Sequence, residues 1–230
     1  MSSKPILYMK EESPPSRAVM MVIDLLGLDV EYRTLNPVLR EQDAPEFAKK
    51  NPMRTIPFYV EGKFSLGDSH AIIIYLIEKY SKPQHSALYP SDKTKRALIL
   101  QRLFFDCGVL FPRLRAVMYP TYAARLPELT KNMIKNIEDA YGTLESYLSE
   151  NTYFVGDDMT IADLSILSTI STLDGLNPVD EKRYPKLKSW LEKINKKGVC
   201  IRINQPGSEN QIAGLKAFME NTKHNLNSKL

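Results

Sequence analysis

The sequence predicts two units in tandem, a small α/β sheet unit followed by an all-helical one. Three observations carry this. Within residues 1–81 the hydrophobic pattern switches repeatedly between extended and helical spacing. A stretch containing prolines and serines, 82–91, then interrupts both patterns. Beyond it strand signals nearly vanish. The expected boundaries are 1–81 for the sheet unit, 82–91 for a linker and 92–230 for the helical unit.

The elements follow in order. Pro5 to Met9 is a short apolar run suited to a buried strand. Val19, Val22, Ile23 and Leu26 recur at helical spacing in 14–28, and Gly27 suits the helix end. Val30 to Leu35 is a second strand, and 43–50 a short helix before Asn51-Pro52. Residues 56–66 hold two extended runs joined at Glu61-Gly62, a hairpin. Residues 69–80 form a third helix. A strand-helix-strand start implies a parallel pair with a right-handed crossover, and the hairpin adds antiparallel strands. In the second unit, 92–118, 128–149, 160–173 and 185–195 carry helical periodicity, with a weaker helix at 209–221 and a frayed tail after 222.

Composition narrows the function classes. Hydrophobic residues make up 43% and charged residues 25% of 230, as in ordinary globular proteins. A net charge of +4 with no run of five basic residues argues against nucleic acid and suits a small anionic ligand. The apolar run at the N-terminus is too short for a signal peptide, and Ala71 to Ile77 is far below the roughly 20 residues of a membrane helix. Cys107 and Cys200 lie in no CxxC, and three histidines are too few for an obvious zinc cluster. The expectation is a soluble cytoplasmic protein with reduced thiols, no metal and no membrane partner.

Four segments can carry chemistry. Ser13-Pro14-Pro15 is an N-cap followed by prolines. The bland reading is capping through the hydroxyl oxygen. The functional one is that the hydroxyl proton, beside the positive end of the helix, stabilises a thiolate. At Arg54-Thr55-Ile56-Pro57 a cis proline would turn the Ile56 backbone outward for an extended peptide, whereas a trans bond would make it an ordinary strand start. Gly67-Asp68-Ser69-His70 opens a helix. The Ser69 and His70 N–H groups would hold a carboxylate and Asp68 an ammonium group, or Asp68 and Ser69 merely cap. The same stretch mimics a nucleophile elbow, but a hydrolase would need His85 or His224, both poorly placed. Thr160-Ile161-Ala162-Asp163 reads as a capping box with a folding role. The aromatic and apolar residues at 103–122 are either core or the lining of a pocket between the units.

SPPSR at 13–17, NPxxTIP at 51–57, DSHAI at 68–72 and TIADLS at 160–165, in this order and spacing, resemble the cytosolic glutathione transferases, in particular the insect delta and epsilon classes. The resemblance covers nearly the whole chain. It implies a thioredoxin-like N-terminal domain plus an all-α C-terminal domain, glutathione as co-substrate, small apolar electrophiles as partners, and a homodimer. It assigns Ser13 to the glutathione sulfur, Ile56 and Thr55 to the peptide backbone, and Pro57 to the cis-proline. Asp68, Ser69 and His70 fall at the γ-glutamyl end, where His70 replaces a frequent arginine. Gln42 and Arg54 replace histidines that hold the glycine carboxylate; Arg54 keeps the charge and Gln42 does not. Pro14, Pro15, Leu35 and Phe111 fall at the hydrophobic substrate site, as do Leu114, Met118, Tyr119 and Phe218. Two other classes remain beside the transferase. One is a glutathione-dependent carrier without turnover. The other, a thiol-disulfide oxidoreductase, would need a cysteine where Ser13 stands.

Overall fold

The computed structural model describes residues 4–228. Strand β1 (Ile6–Met9) lies at the centre of a four-stranded sheet, parallel to β2 (Glu31–Thr34) and antiparallel to β3 (Phe58–Glu61). Strand β4 (Phe64–Gly67) closes the hairpin with β3, giving the order β2-β1-β3-β4. Alternation sorts the two faces. Leu7, Met9 and Tyr59 enter the main core, while Tyr8, Phe58 and Phe47 form an aromatic trio behind it.

Helix α1 (Pro14–Leu26) joins β1 to β2 and is buried continuously from Ser16 to Ile23. A helix apolar on every side needs cover on every side. Helix α3 (Ser69–Tyr80) flanks it, and α7 (Ile161–Leu176) of the helical unit covers the rest. Gly27 ends α1 at φ +64°, a left-handed conformation that glycine adopts without a Cβ penalty. The short α2 (Pro45–Lys50) follows β2.

The expected helix over 92–118 is two helices, α4 (Lys93–Phe105) and α5 (Phe111–Tyr122), separated by a π-type turn at Asp106–Leu110. Pro112 supplies the reason: it has no N–H for the helical bond back to residue 108, and the wider turn absorbs the loss. Helices α6 (Lys131–Tyr147) and α8 (Pro185–Ile194) lie near the expected ranges. The C-terminal helix is a correction. After a second π-type turn at Cys200–Asn204, α9 runs from Gln205 to Asn227, longer at both ends than 209–221 and through most of the tail expected to fray. Pro206 stands two residues past this turn, as Pro112 stands past the first, and its missing N–H is absorbed in the same way. Buried Met219 and Thr222 and the edge-on contact of Phe218 with Tyr122 hold its far end.

The TIADLS segment folds the helical unit from within. Asp163 has no exposed surface and accepts from the N–H groups of Thr160 (2.8 Å) and Phe154 (3.0 Å), the Thr160 hydroxyl (2.9 Å) and the Trp190 indole (3.1 Å). Burial pushes its pKa up while these four donors oppose the shift. Asp163→Ala leaves three buried N–H donors unpaired, at about 1–3 kcal/mol each. Urea unfolding is expected to show a loss of at least about 3 kcal/mol in this variant.

Candidate active site

Ser13 occupies the N-cap of α1, and its own N–H bonds the Lys10 carbonyl at 3.0 Å. Its side chain makes no capping hydrogen bond, which corrects the capping reading. Pro15 removes the N2 donor, one of the two N–H groups that a capping oxygen uses, and the remaining one, on Ser16, makes no bond to the Ser13 side chain. The hydroxyl is left half-exposed at the positive end of a 13-residue helix.

The loop that carries Ser13 is clamped from behind by a residue that the sequence reading passed over. Arg17 is completely buried. Its guanidinium donates to the carbonyls of Glu12 (2.6 Å) and Ser168 (2.6 Å), to Thr172 Oγ1 (3.1 Å), to Asn204 Oδ1 (3.0 Å) and to Gln211 Oε1 (3.3 Å). Burial drives its pKa down to about 9, against the pull of the Glu12 carboxylate. A single arginine before the apolar run AVMMVI was the available signal. Gly207, in the first turn of α9, presses on the same loop. A Cβ there would collide with the Glu11 carbonyl oxygen.

The second segment sits beside this loop through the sheet. The Ile56–Pro57 bond is cis, and neither the N–H nor the C=O of Ile56 has a backbone partner among the described residues. Asn51, 2% exposed, holds the turn by donating to the Thr55 carbonyl at 2.8 Å. Arg54 takes φ +50° and projects into solvent, with Nη1 3.8 Å from Asp43. Next to Asp43, Gln42 has a buried Oε1 with no hydrogen-bond partner.

The third segment departs from expectation in two ways. Asp68 Oδ1 caps α3 by accepting from the His70 (2.9 Å) and Ala71 (3.1 Å) N–H groups. The His70 N–H is therefore occupied by that side chain, and of the two only the Ser69 N–H has no hydrogen-bond partner among the described residues. The His70 ring is turned inward, with Nε2 3.2 Å from Asp106 Oδ2 and Nδ1 3.4 Å from Asp68 Oδ1. The Ser165 hydroxyl donates to the same Asp106 oxygen at 2.6 Å. Burial lowers the His70 pKa, but the two carboxylates outweigh it and raise the value to about 10. Asp106 comes from the π-type turn between α4 and α5 and Ser165 from α7; no local motif marks Asp106, and Ser165 closes the TIADLS segment, which gave no hint of this contact. Ser69 is buried, and neither His85 nor His224 hydrogen-bonds it, so the hydrolase constellation is absent from the described residues.

The apolar candidates divide by burial. Pro14 and Leu114 are wholly within the packed interior, and Leu114 belongs to the main core, not to an open wall. Pro15, Leu35, Phe111 and Met118 are half-buried. Tyr119 and Phe218 are exposed. Met118 Sδ lies 3.6 Å from Gln211 Nε2, which ties that wall to the Arg17 cluster.

The structure is thus a mixed four-stranded sheet with a cis-proline before β3, followed by a helical second unit. Comparison with known proteins gives the family. The model "Glutathione S-transferase, N-terminal domain" matches residues 7–84, and "Glutathione S-transferase, C-terminal domain" matches 112–198. Glutathione S-transferase 1 of Manduca sexta is 39% identical over 205 residues, 88% of this chain and 93% of that protein. Glutathione S-transferase D7 of Drosophila melanogaster is 36% identical over 83% of this chain and 84% of its own. An epsilon-class glutathione S-transferase from the housefly Musca domestica superposes with a TM-score of 0.89 at 36% identity, covering 94% of this chain and 98% of that one. A glutathione transferase homologue from Drosophila mojavensis, solved with bound glutathione, gives 0.89 at 37% identity and the same coverage. The chain belongs to the glutathione S-transferase family, whose co-substrate is glutathione. Its neighbours are insect delta and epsilon class enzymes, and no helix of the described residues is long and apolar enough to cross a membrane.

The raised pKa of His70 has a pH signature. The imidazolium's contribution is fully present below the ordinary value of 6.5 and is lost as pH rises through about 10. Denaturant unfolding at pH 7 and pH 9.5 is expected to show a decline in wild type that is smaller in His70→Asn.

Proposed function

We propose that this transferase conjugates the thiolate of glutathione to small apolar electrophiles, with Ser13 as the catalytic residue. The observation that carries the reading is the Ser13 hydroxyl, free of any capping bond at the head of α1. Glutathione runs in extended form past Ile56, whose backbone N–H and C=O pair with the cysteinyl part after cis-Pro57, beside Thr55. The γ-glutamyl ammonium meets the second oxygen of Asp68, and its carboxylate meets the Ser69 N–H. Arg54, with Gln42 nearby, takes the glycine carboxylate. His70 acts on this end through Asp68, since its ring is committed to the two carboxylates.

The energetics fit. A free thiol has a pKa of about 8.5. Lowering it by about two units requires about 2.7 kcal/mol of differential stabilisation. One hydrogen bond to a charged group contributes about 1.5–3 kcal/mol, and the helix end adds up to about 1 kcal/mol. The thiol proton leaves to solvent, and the sulfur lone pair forms the bond to the electrophilic carbon. In a substitution the leaving group departs with its electron pair; in an addition the resulting carbanion takes a proton from solvent. Pro15, Leu35, Phe111, Met118, Tyr119 and Phe218 bound the electrophile's side.

The reading keeps 1–81 as the glutathione-binding domain, 82–91 as linker and 92–230 as the domain of the electrophile site, in a homodimer. Two free cysteines support a reducing, cytoplasmic setting.

Conjugation of glutathione to 1-chloro-2,4-dinitrobenzene, followed by absorbance, tests the proposal. Ser13→Ala is expected to lower kcat by about 10- to 100-fold while glutathione affinity stays within a few-fold. Equal losses in both would reduce the serine to an anchor, and glutathione binding without turnover in wild type would indicate a carrier. Arg54→Ala is expected to do the reverse, raising KM for glutathione with kcat retained; an unchanged KM would remove Arg54 from the site.

A further inference from the structure

Folding assembles a set of metal-ligating groups that the sequence keeps apart. A carboxylate oxygen of Asp68, a ring nitrogen of His70 and Sγ of Cys107 lie within 4.8 Å of one another. Cys107 is exposed, and it follows Asp106 in the π-type turn between α4 and α5. His70 Nδ1 is buried and makes no hydrogen bond among the described residues, although Asp68 Oδ1 is 3.4 Å away. The other ring nitrogen faces Asp106 at 3.2 Å, and the Ser165 hydroxyl holds that carboxylate from behind at 2.6 Å.

This is how a ligating imidazole is arranged. A carboxylate behind the ring accepts the hydrogen bond from Nε2–H and fixes the ring's orientation, so that Nδ1 is the nitrogen turned to the metal. One thiolate, one imidazole and one carboxylate suit a divalent ion of the zinc class, with a fourth position open to solvent beside exposed Cys107. The three atoms, within 4.8 Å of one another, need to draw together by about 1 Å to reach zinc distances. Asp68 and Asp106 supply a negative field that favours a cation at this point, and a divalent ion displaces the proton that Nδ1 otherwise holds.

We propose that Asp68, His70 and Cys107 bind one zinc-class divalent cation, and that this ion competes with glutathione. The competition rests on the reading of Asp68 as the partner of the γ-glutamyl ammonium, because ion and ammonium use the same carboxylate. The ion is an inhibitor at the glutathione site and takes no part in the transfer.

The metal arm of the test needs no glutathione. The full chain, reduced and stripped of metal, is titrated with Zn2+ in a calorimeter. One ion per chain is expected, bound about 10–100-fold more weakly by Cys107→Ser and by Asp106→Asn. Absence of stoichiometric binding, or binding that Cys107→Ser leaves unchanged, would overturn the site. The second arm measures glutathione affinity without Zn2+ and with Zn2+ at about ten times its wild-type dissociation constant, where wild type is expected to lose about tenfold and Cys107→Ser no more than about twofold. Zinc that binds without weakening glutathione would overturn the competition alone. A chain that binds zinc as described but not glutathione would instead refute the functional reading.

Discussion

A full positive charge with no exposed surface sits at the junction of the two units, and the placement of everything around it follows from satisfying that charge. Arg17 reaches no carboxylate within hydrogen-bond distance. Its five contacts go to two carbonyls, a hydroxyl and two side-chain amides. Removing a guanidinium from water costs several kcal/mol, and neutral acceptors offset that only when all are in place together. The depressed pKa, near 9, expresses how closely cost and compensation balance. Because the acceptors come from the loop before α1, from α7, and from the π-type turn and first turns of α9, the guanidinium fixes the head of α1 against the helical unit. Ser13 lies four residues away on that head.

The same junction links Met118, on the wall proposed for the electrophile, to the head of α1. Gln211 accepts from Arg17 and from Thr172, and its amide nitrogen approaches Met118 on α5. Gly207 brings the start of α9 onto the Glu11 carbonyl, an approach that any side chain would prevent. The head of α1 therefore has neighbours from both units, and its geometry does not belong to the sheet unit alone.

A second buried charge shows the opposite solution. His70 lies between Asp68 and Asp106, so the carboxylates outweigh the loss of hydration that dominates at Arg17. Asp68 must cap α3, partner the imidazole and still present an oxygen outward. A site that combines an acid pair, an imidazole and a nearby thiol attracts cations, whether the ammonium of an amino acid or a metal ion.

The sequence by itself determined what depends on local pattern. The order of strands and helices in the first 81 residues, the hairpin at Glu61-Gly62, the ending of α1 at Gly27 and the Thr160–Asp163 box all rest on periodicity, capping or turn chemistry within a few residues. The positions of Ser13 and Asp68 at helix starts and of the proline before β3 were legible because each matches a spaced motif. Tertiary structure alone decided the rest. It split the 92–118 pattern at a π-type turn, carried α9 through Pro206 and Gly207 to Asn227, and buried Leu114 in the core. It also chose the partners of Arg17 and His70. Those partners, such as Ser168, Asn204, Gln211 and Asp106, lie 36 to 194 residues away along the chain. A buried charge selects its acceptors by where the packed elements deliver them, and that information is not present in the spacing of neighbouring residues.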